Sequence, residues 1–306
     1  MTGSVSRGTS VTVGVPVRNG GPTLRRALES VVRQTYDDLT IIVSDNCSTD
    51  NTGDIAAEFM ARDARIRYVR HEQPLTVLEN FRFLVDQARS EYFLWAAHDD
   101  YRTTNYVEVL AEKLKATPEA VLAFTDIILF SDEDHDLDNV PPVGQGLDWG
   151  SSYEDRVRRV ISNKCSVLYG LFRTEALREY PWIQCDFGVD IPLLLYMRSR
   201  GEFVYTPGAR FYEWIVPGGV VPRSQRARNE GLRDYRRWPL LRLSWACGSA
   251  LAHADRLEGR RPRQLTGFLV SLTALKRDSV KLWTFQRLPD PVKRLWHRYK
   301  RRQFAV

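Results

Sequence analysis

Apolar positions in the first part of the chain come in two alternating rhythms. Val11–Val15, Leu39–Val43 and Tyr92–Ala97 are nearly continuous apolar runs, and Ile66–Arg70 is a fourth, more mixed one. Such runs are what strands covered on both faces look like. Between them lie stretches with apolar residues three and four apart. The first is 24–34, with Leu24, Ala27, Leu28, Val31 and Val32 on one face; 52–62 and 77–88 follow. That spacing predicts helices with one buried face. The first strand is expected to end at Pro16, where a ladder donor is lost, and Asn19-Gly20-Gly21-Pro22 to form a loop. Thr23 is expected to cap the first helix, and Asp45–Asp50 to be a turn rich in capping residues.

The resulting alternation, β-α-β-α-β-α-β, predicts an α/β domain with a Rossmann-like, mostly parallel twisted sheet and helices on both faces. A helix over Tyr106–Lys115 and a strand over Val121–Phe130 continue it. Residues 131–150 are acidic and rich in Pro and Gly, which predicts a loop. A helix at Arg156–Ile161, a strand at Val167–Phe172 and a helix at Asp190–Arg200 follow, the last stopped by Gly201. Two short strands, Phe203–Tyr205 and Arg210–Ile215, are expected to finish the sheet. Beyond about Gly231 the pattern is helical. Leu265, Phe268, Leu269 and Leu272 make one apolar face. Val292, Leu295, Trp296 and Tyr299 make another, opposite Lys293, Arg294, Arg298, Lys300, Arg301 and Arg302.

Composition adds an asymmetry. The 306 residues are 43% hydrophobic and 27% charged, enough for a sizeable core plus an appendage. Residues 223–306 carry 21 Lys/Arg against 6 Asp/Glu, whereas 1–222 carry 23 against 32. The expected division is therefore a domain over 1–222, with halves 1–130 and 131–222, and a basic helical extension over 223–306. A basic amphipathic helix bearing Trp and Tyr suits an anionic membrane surface; it equally suits packing on the preceding domain with its charge in water. No nucleic-acid motif accompanies the charge, so nucleic acid is not an expected partner. No run approaches the roughly 18 apolar residues of a membrane span, and Met1–Ser10 lacks a signal-peptide core. The expected location is cytoplasmic, with peripheral attachment at the inner face of the membrane as an option of the tail. Cys47, Cys165, Cys185 and Cys247 are scattered and read as free thiols, and the five histidines form no metal motif.

Candidate chemistry centres on Tyr92–Asp100, a buried strand running into two adjacent carboxylates. Ligands of open α/β sheets bind at the carboxyl ends of the strands. Hard cations such as Mg²⁺ or Mn²⁺ take carboxylate oxygens and share a diphosphate as co-ligand. Asp99 would thus hold the metal, and the metal a nucleotide diphosphate; the alternative is a solvated Asp-Asp turn. Asp45, at the end of the second strand, could accept the N3–H of a uracil-type base or bond a ribose hydroxyl, or it makes only an Asx-turn. Arg18 could approach a phosphate. His98 is either a supporting group or a turn residue. Trp149, Tyr153, Trp182, Phe187 and Trp214 either stack on sugar rings or fill the core.

Four segments together resemble family 2 glycosyltransferases of the GT-A fold. Thr12-Val13-Gly14-Val15-Pro16-Val17-Arg18-Asn19 is similar to that family's opening strand-Pro-x-x-Asn. Leu28–Tyr36 resembles its helix ending in Ser, hydrophobic, x, x, Gln, Thr and an aromatic. Ile41–Asp50 resembles its turn I-V-x-D-x-x-S-T-D, and Tyr92–Asp100 its aspartate-rich metal motif. The resemblance implies a GT-A domain in which Pro16, Val17, Arg18, Asn19, Asp45, His98 and Asp99 contact the donor. It implies Asp99 and Asp100 as metal ligands, although Ala97 stands where the first acid of the D-x-D pattern belongs. Phe187-Gly188-Val189-Asp190 resembles the family's G-E-D, which implies Asp190 as catalytic base, with Val189 in place of the Glu; the same Asp190 also sits where a helix N-cap would. Asn163–Phe172 resembles the strand near the acceptor, where Gly170 serves close substrate approach or packing. Pro217-Gly218-Gly219 with Arg223, Arg226 and Arg228 is either a loop closing over the diphosphate or a linker.

The implied function is metal-dependent, inverting transfer of a sugar from a nucleotide diphosphate-sugar, UDP-like first, to a hydroxyl of a saccharide, lipid-linked or natural-product glycan. Two other classes compete: a non-catalytic nucleotide-sugar or glycan-binding module, and a membrane-surface scaffold.

Overall fold

The computed structural model describes residues 10–131, 137–138, 140–144, 146–147, 149, 152–162, 165–185, 188–215, 239–272 and 274. The first half alternates as the periodicity requires: β1 (Val11–Val17), α1 (Leu24–Val32), β2 (Leu39–Asp45), α2 (Thr52–Arg62), β3 (Ile66–Arg70), α3 (Val77–Gln87) and β4 (Tyr92–Trp95). Then come β5 (Tyr101–Arg102), α4 (Tyr106–Ala116), β6 (Ala120–Phe130), α5 (Tyr153–Ser162), a 3-10 turn (Cys165–Tyr169), β7 (Leu171–Arg173), α6 (Thr174–Arg178), α7 (Asp190–Arg200) and β8 (Glu202–Trp214). In the extension, α8 (Pro239–Leu257) is followed by a helical segment at 264–272.

Among the described residues one sheet has the strand order β3-β2-β1-β4-β7-β6-β8-β5. β3, β2, β1 and β4 are parallel, as are β6 and β8. β7 runs antiparallel to both β4 and β6, and β5 antiparallel to β8. This is the mixed, mostly parallel sheet of a GT-A fold. Its core is continuous from Val13 and Val15 through Leu94 and Trp95 to Phe172 and Phe211.

Several expectations are corrected. β1 does not stop at Pro16 but runs to Val17, pairing Pro16 with Ser44 and Val17 with Asp45. The Val17 carbonyl accepts from Asn46 N–H on the β2 side, and the Gly14 carbonyl from Ala96 N–H on the β4 side (both 2.8 Å). Pro16 shares Gly14's side, past the end of the β4 ladder, so its missing donor has no bond to break. The expected strand at Val167–Phe172 is wound over its first part into the 3-10 turn. β8 is one strand rather than two: Tyr205 pairs with Phe124 and Arg210 with Asp126, and residues 206–209 bulge between them. Gly201 does end α7, but with extended backbone (φ 179°); a Cβ there would lie 2.6 Å from Val121 Cγ1 and 2.7 Å from the Glu119 carbonyl. Close approach, not a left-handed cap, demands the glycine.

α8 packs along α7 and buries Leu243, Cys247, Ala250, Leu251 and Ala254. The expected helix carrying Val292 to Arg302 lies outside the described residues. No helix among the described residues is long and apolar enough to cross a membrane.

Candidate active site

The carboxyl ends of β1, β2 and β4 meet at one edge of the sheet. Asn19 follows β1 in the left-handed region (φ 53°), which Asn tolerates through its short polar side chain. Its N–H donates to Ser48 Oγ (2.9 Å) and its Oδ1 accepts from Thr49 N–H (2.8 Å), so the loop after β1 is buttoned to the turn after β2. Arg18 beside it is exposed, whereas Val17 is buried and Pro16 half-buried.

Asp45 is 1% exposed. Its Oδ1 accepts from Ser48 N–H (2.8 Å), its Oδ2 accepts from Tyr68 Oη–H (2.6 Å), and the Arg70 guanidinium stands 3.9 Å away. Burial, and then the bond to Asp45, push the Tyr68 phenol well above its ordinary range. Asp45 thus builds the turn from behind, with both oxygens engaged.

His98 and Asp99 follow β4. His98 Nδ1 is 3.0 Å from Thr23 Oγ1. Thr23 is thereby drawn away from α1, and it makes no side-chain cap. The Asp99 carbonyl accepts from Arg26 Nη2 (2.9 Å), and the Arg26 guanidinium lies 5.4 Å from the Tyr101 ring centroid and 5.0 Å from that of Phe130. The Asp99 carboxylate is half-buried and has no hydrogen bond or ion pair among the described residues. Asp100 points elsewhere: it is 3% exposed and accepts the Trp214 N–H (2.8 Å) at the end of β8. Burial raises its carboxyl well above the usual range, the Asp99 charge adds to this, and the Trp214 bond opposes it. No three His, Cys, Asp or Glu among the described residues are grouped to hold a metal by themselves.

Asp190 is the first residue of α7. Val189 occupies the cap position with helical backbone (φ −57°), so the expected N-cap role is corrected. The Gly188 carbonyl accepts the Ile191 N–H (3.0 Å), and Gly188 supplies the left-handed turn (φ 62°) that starts the helix. Tyr169 closes the 3-10 turn, and its carbonyl accepts from Tyr106 Oη–H (3.0 Å). Its buried hydroxyl is pushed well up by burial, and then by the charges of Asp100, Glu213, Asp99 and Asp190. These acids come from three distant stretches of chain: the turn after β4, the start of α7 and the end of β8. Glu213 accepts from Ser166 Oγ.

Arg26, Tyr169 and Glu213 were not singled out as site residues. Tyr169 falls within Asn163–Phe172, the segment that resembles the acceptor strand, and Glu213 is a charge near the end of an otherwise half-apolar strand; Arg26 has no such signal. Gly170 serves packing: a Cβ there would lie 2.4 Å from the Ala123 carbonyl. Trp149 packs on Phe203 (5.1 Å between centroids) and Trp182 on Tyr180 (5.4 Å), while Tyr153 lies under Arg263 (3.9 Å). Trp214 holds Asp100 through its backbone. Cys47, Cys185 and Cys247 are free thiols. Phe187, the segment from Pro217 to Arg228, and His135 and His297 lie outside the described residues.

The family model described as "Glycosyl transferase family 2" matches residues 12–180, spanning β1 to the end of the α6 region. The chain belongs to glycosyl transferase family 2. Among relatives, it is 31% identical over 105 residues to glycosyltransferase GlyG of Streptococcus pneumoniae, covering 34% of this chain and 35% of GlyG. It is 26% identical over 174 residues to GlyA of the same organism, covering 56% of this chain and 23% of GlyA. The chain thus spans about a third or less of the length of these relatives. Among solved structures, TarS of S. aureus in complex with UDP superposes with a TM-score of 0.54 at 14% identity, over 87% of this chain and 88% of that one. The mannosyltransferase PcManGT of Pyrobaculum calidifontis, in complex with GDP-Man and Mn²⁺, gives 0.54 at 16% identity, over 95% and 88%. At these identities the likeness shows the GT-A fold alone.

Proposed function

We propose that this family 2 protein transfers a sugar from a nucleotide diphosphate-sugar to a hydroxyl acceptor, with inversion. The observation that carries the reading is the open, half-buried Asp99 carboxylate at the carboxyl end of β4, on a turn that Asp100 ties to the end of β8 through the Trp214 N–H (2.8 Å). Asp190 is the base: its carboxylate takes the proton of the acceptor hydroxyl while that oxygen attacks the anomeric carbon. The bond from that carbon to the diphosphate oxygen breaks, and the nucleoside diphosphate leaves with the electron pair. One such displacement inverts the carbon.

Pro16, Val17, Arg18, Asn19, Asp45 and His98 form the donor side, with Asp45 acting through the turn it holds. Asp99 is the residue that fits a divalent cation, Mg²⁺ or Mn²⁺. Its carboxylate is open while that of Asp100 is engaged by Trp214, and a cation with one protein carboxylate completes its shell with diphosphate and water oxygens. Bound there, the ion would neutralise charge gathering on the leaving diphosphate. Asp100 then fixes the turn that presents Asp99. A UDP-like donor is the first candidate. The acceptor is a saccharide or lipid-linked hydroxyl.

The test is turnover with UDP-, dTDP- and GDP-sugars plus Mn²⁺ across an acceptor panel. Asp190→Asn is expected to lower turnover by about 10²- to 10⁴-fold while leaving donor affinity near wild type. Donor binding with no turnover in wild type, and no effect of Asp190→Asn, would instead identify a nucleotide-sugar-binding module.

A further inference from the structure

We propose that the outer face of α8 and the 264–272 helix docks the protein on an anionic lipid surface. The sequence pattern gives Leu265, Phe268, Leu269 and Leu272 one apolar face, which would ordinarily be buried. Here Leu265 is 67% exposed and Leu269 52%. On α8, Trp245 is 56% exposed and Leu241, one turn before it, 36%. The Trp245 and Phe268 rings stand 6.1 Å apart, so both helices contribute to a single patch.

The two helices are held as one plate. A Cβ on Gly248 would lie 2.5 Å from the Gln264 carbonyl, and a Cβ on Gly267 would lie 3.2 Å from Gly248 Cα. Only glycines permit this crossing. On the inner side, Asp255 is 1% exposed and takes Arg263 in a two-pronged bond (2.6 and 3.2 Å). The apolar side chains are thus presented by a rigid base rather than by a fraying end.

The rim decides the occupant. Arg256 and Arg261 are exposed on the same hairpin of helices with no ion pair among the described residues, and Asp255 and Glu258 are the only acids between 239 and 272. Asp255 is buried, and Glu258 is paired with Arg200 and Arg260. Large exposed apolar side chains on a hairpin that also exposes Arg256 and Arg261 and leaves no unpaired exposed acid match a bilayer with anionic headgroups, whose surface potential draws cations and whose boundary takes Trp and Leu. The face is formed by residues other than those of the 292–302 segment, and the proposal does not depend on sugar transfer.

Flotation of the full-length protein with phosphatidylglycerol/phosphatidylcholine vesicles, against pure phosphatidylcholine, tests it. Wild type is expected to float with the anionic vesicles only. The double variant Trp245→Ser/Leu265→Gln is expected to bind roughly tenfold or more weakly, with an unchanged unfolding temperature because both side chains are exposed. Asp190→Asn should float like wild type. Three results would overturn the proposal: no flotation of wild type, equal flotation of the double variant, or a concentration-dependent dimer that the double variant abolishes in the absence of vesicle binding.

Discussion

Gly170 sits between two residues whose positions matter to the acids. Tyr169 receives the field of Asp99, Asp100, Asp190 and Glu213, and Leu171 opens β7. An added methyl would be 2.4 Å from the Ala123 carbonyl and 2.8 Å from Leu122 Cδ1. The first of these is backbone in the middle of β6 and cannot swing aside. Gly170→Ala is therefore expected to destabilise the fold by about 1–3 kcal/mol, read as a lower urea midpoint at constant slope. An unchanged midpoint would mean that β6 and β7 can part freely there. At the same scale, Tyr68 and Ser48 hold Asp45 from opposite sides, which explains how a carboxylate can be almost wholly buried beside an exposed loop.

At the scale of elements, Arg65 clasps three elements at once. Its Nη2 donates to the Val32 carbonyl closing α1 (2.8 Å) and to Asp63 closing α2 (2.7 Å), while its own carbonyl accepts from Ile41 in β2 (2.9 Å). The hydrogen bond from Arg65 holds the Asp63 carboxyl below its ordinary range, against burial. A carboxyl depressed in the folded state stabilises above the unfolded value of about 3.9 and loses that contribution as pH falls through the folded value. Asp63→Asn should cost about 1 kcal/mol at pH 7. Its unfolding curve should converge on wild type as the pH falls below the ordinary aspartate range. A gap that persists in acid would refute the pairing.

The elements that the sequence makes legible are those with their own signal. α2, β3 and α7 agree with expectation at both ends because strand and helix periods change abruptly there. β5 was not anticipated, since two residues carry no period and exist as a strand only because Tyr212 and Phe211 pair with them. α6 was likewise missed. Val167–Phe172 looks like a strand from its apolar run, but its first part lies in a 3-10 turn that leads into the close approach of Gly170 to the Ala123 carbonyl. The acids at strand and helix ends were visible for the same reason as the strands. Arg26 was not, because its role arises from contacts between segments far apart in the chain.

For the whole molecule, the question is whether the extension is separable. Leu243, Cys247, Ala250, Leu251 and Ala254 of α8, which packs on α7, are at most 4% exposed, and Arg200 of α7 pairs with Glu258 beyond α8. Burial of such side chains stabilises by about 1.5–3 kcal/mol for each large one. A chain cut after residue 222 should consequently unfold at least about 5 °C lower or fail to remain in solution, as scanning calorimetry would show. An unchanged transition would mean that α8 folds as an independent unit.

The bond from the Trp214 N–H to Asp100 joins the last residue of the last strand to the turn that bears Asp99. A displacement of one that keeps this bond carries the other with it. Whatever seats itself against the end of β8 alters the fit of its counterpart at Asp99, and by linkage the counterpart alters the first by the same factor. The donor and acceptor proposed above would then report on each other's arrival through a single peptide group.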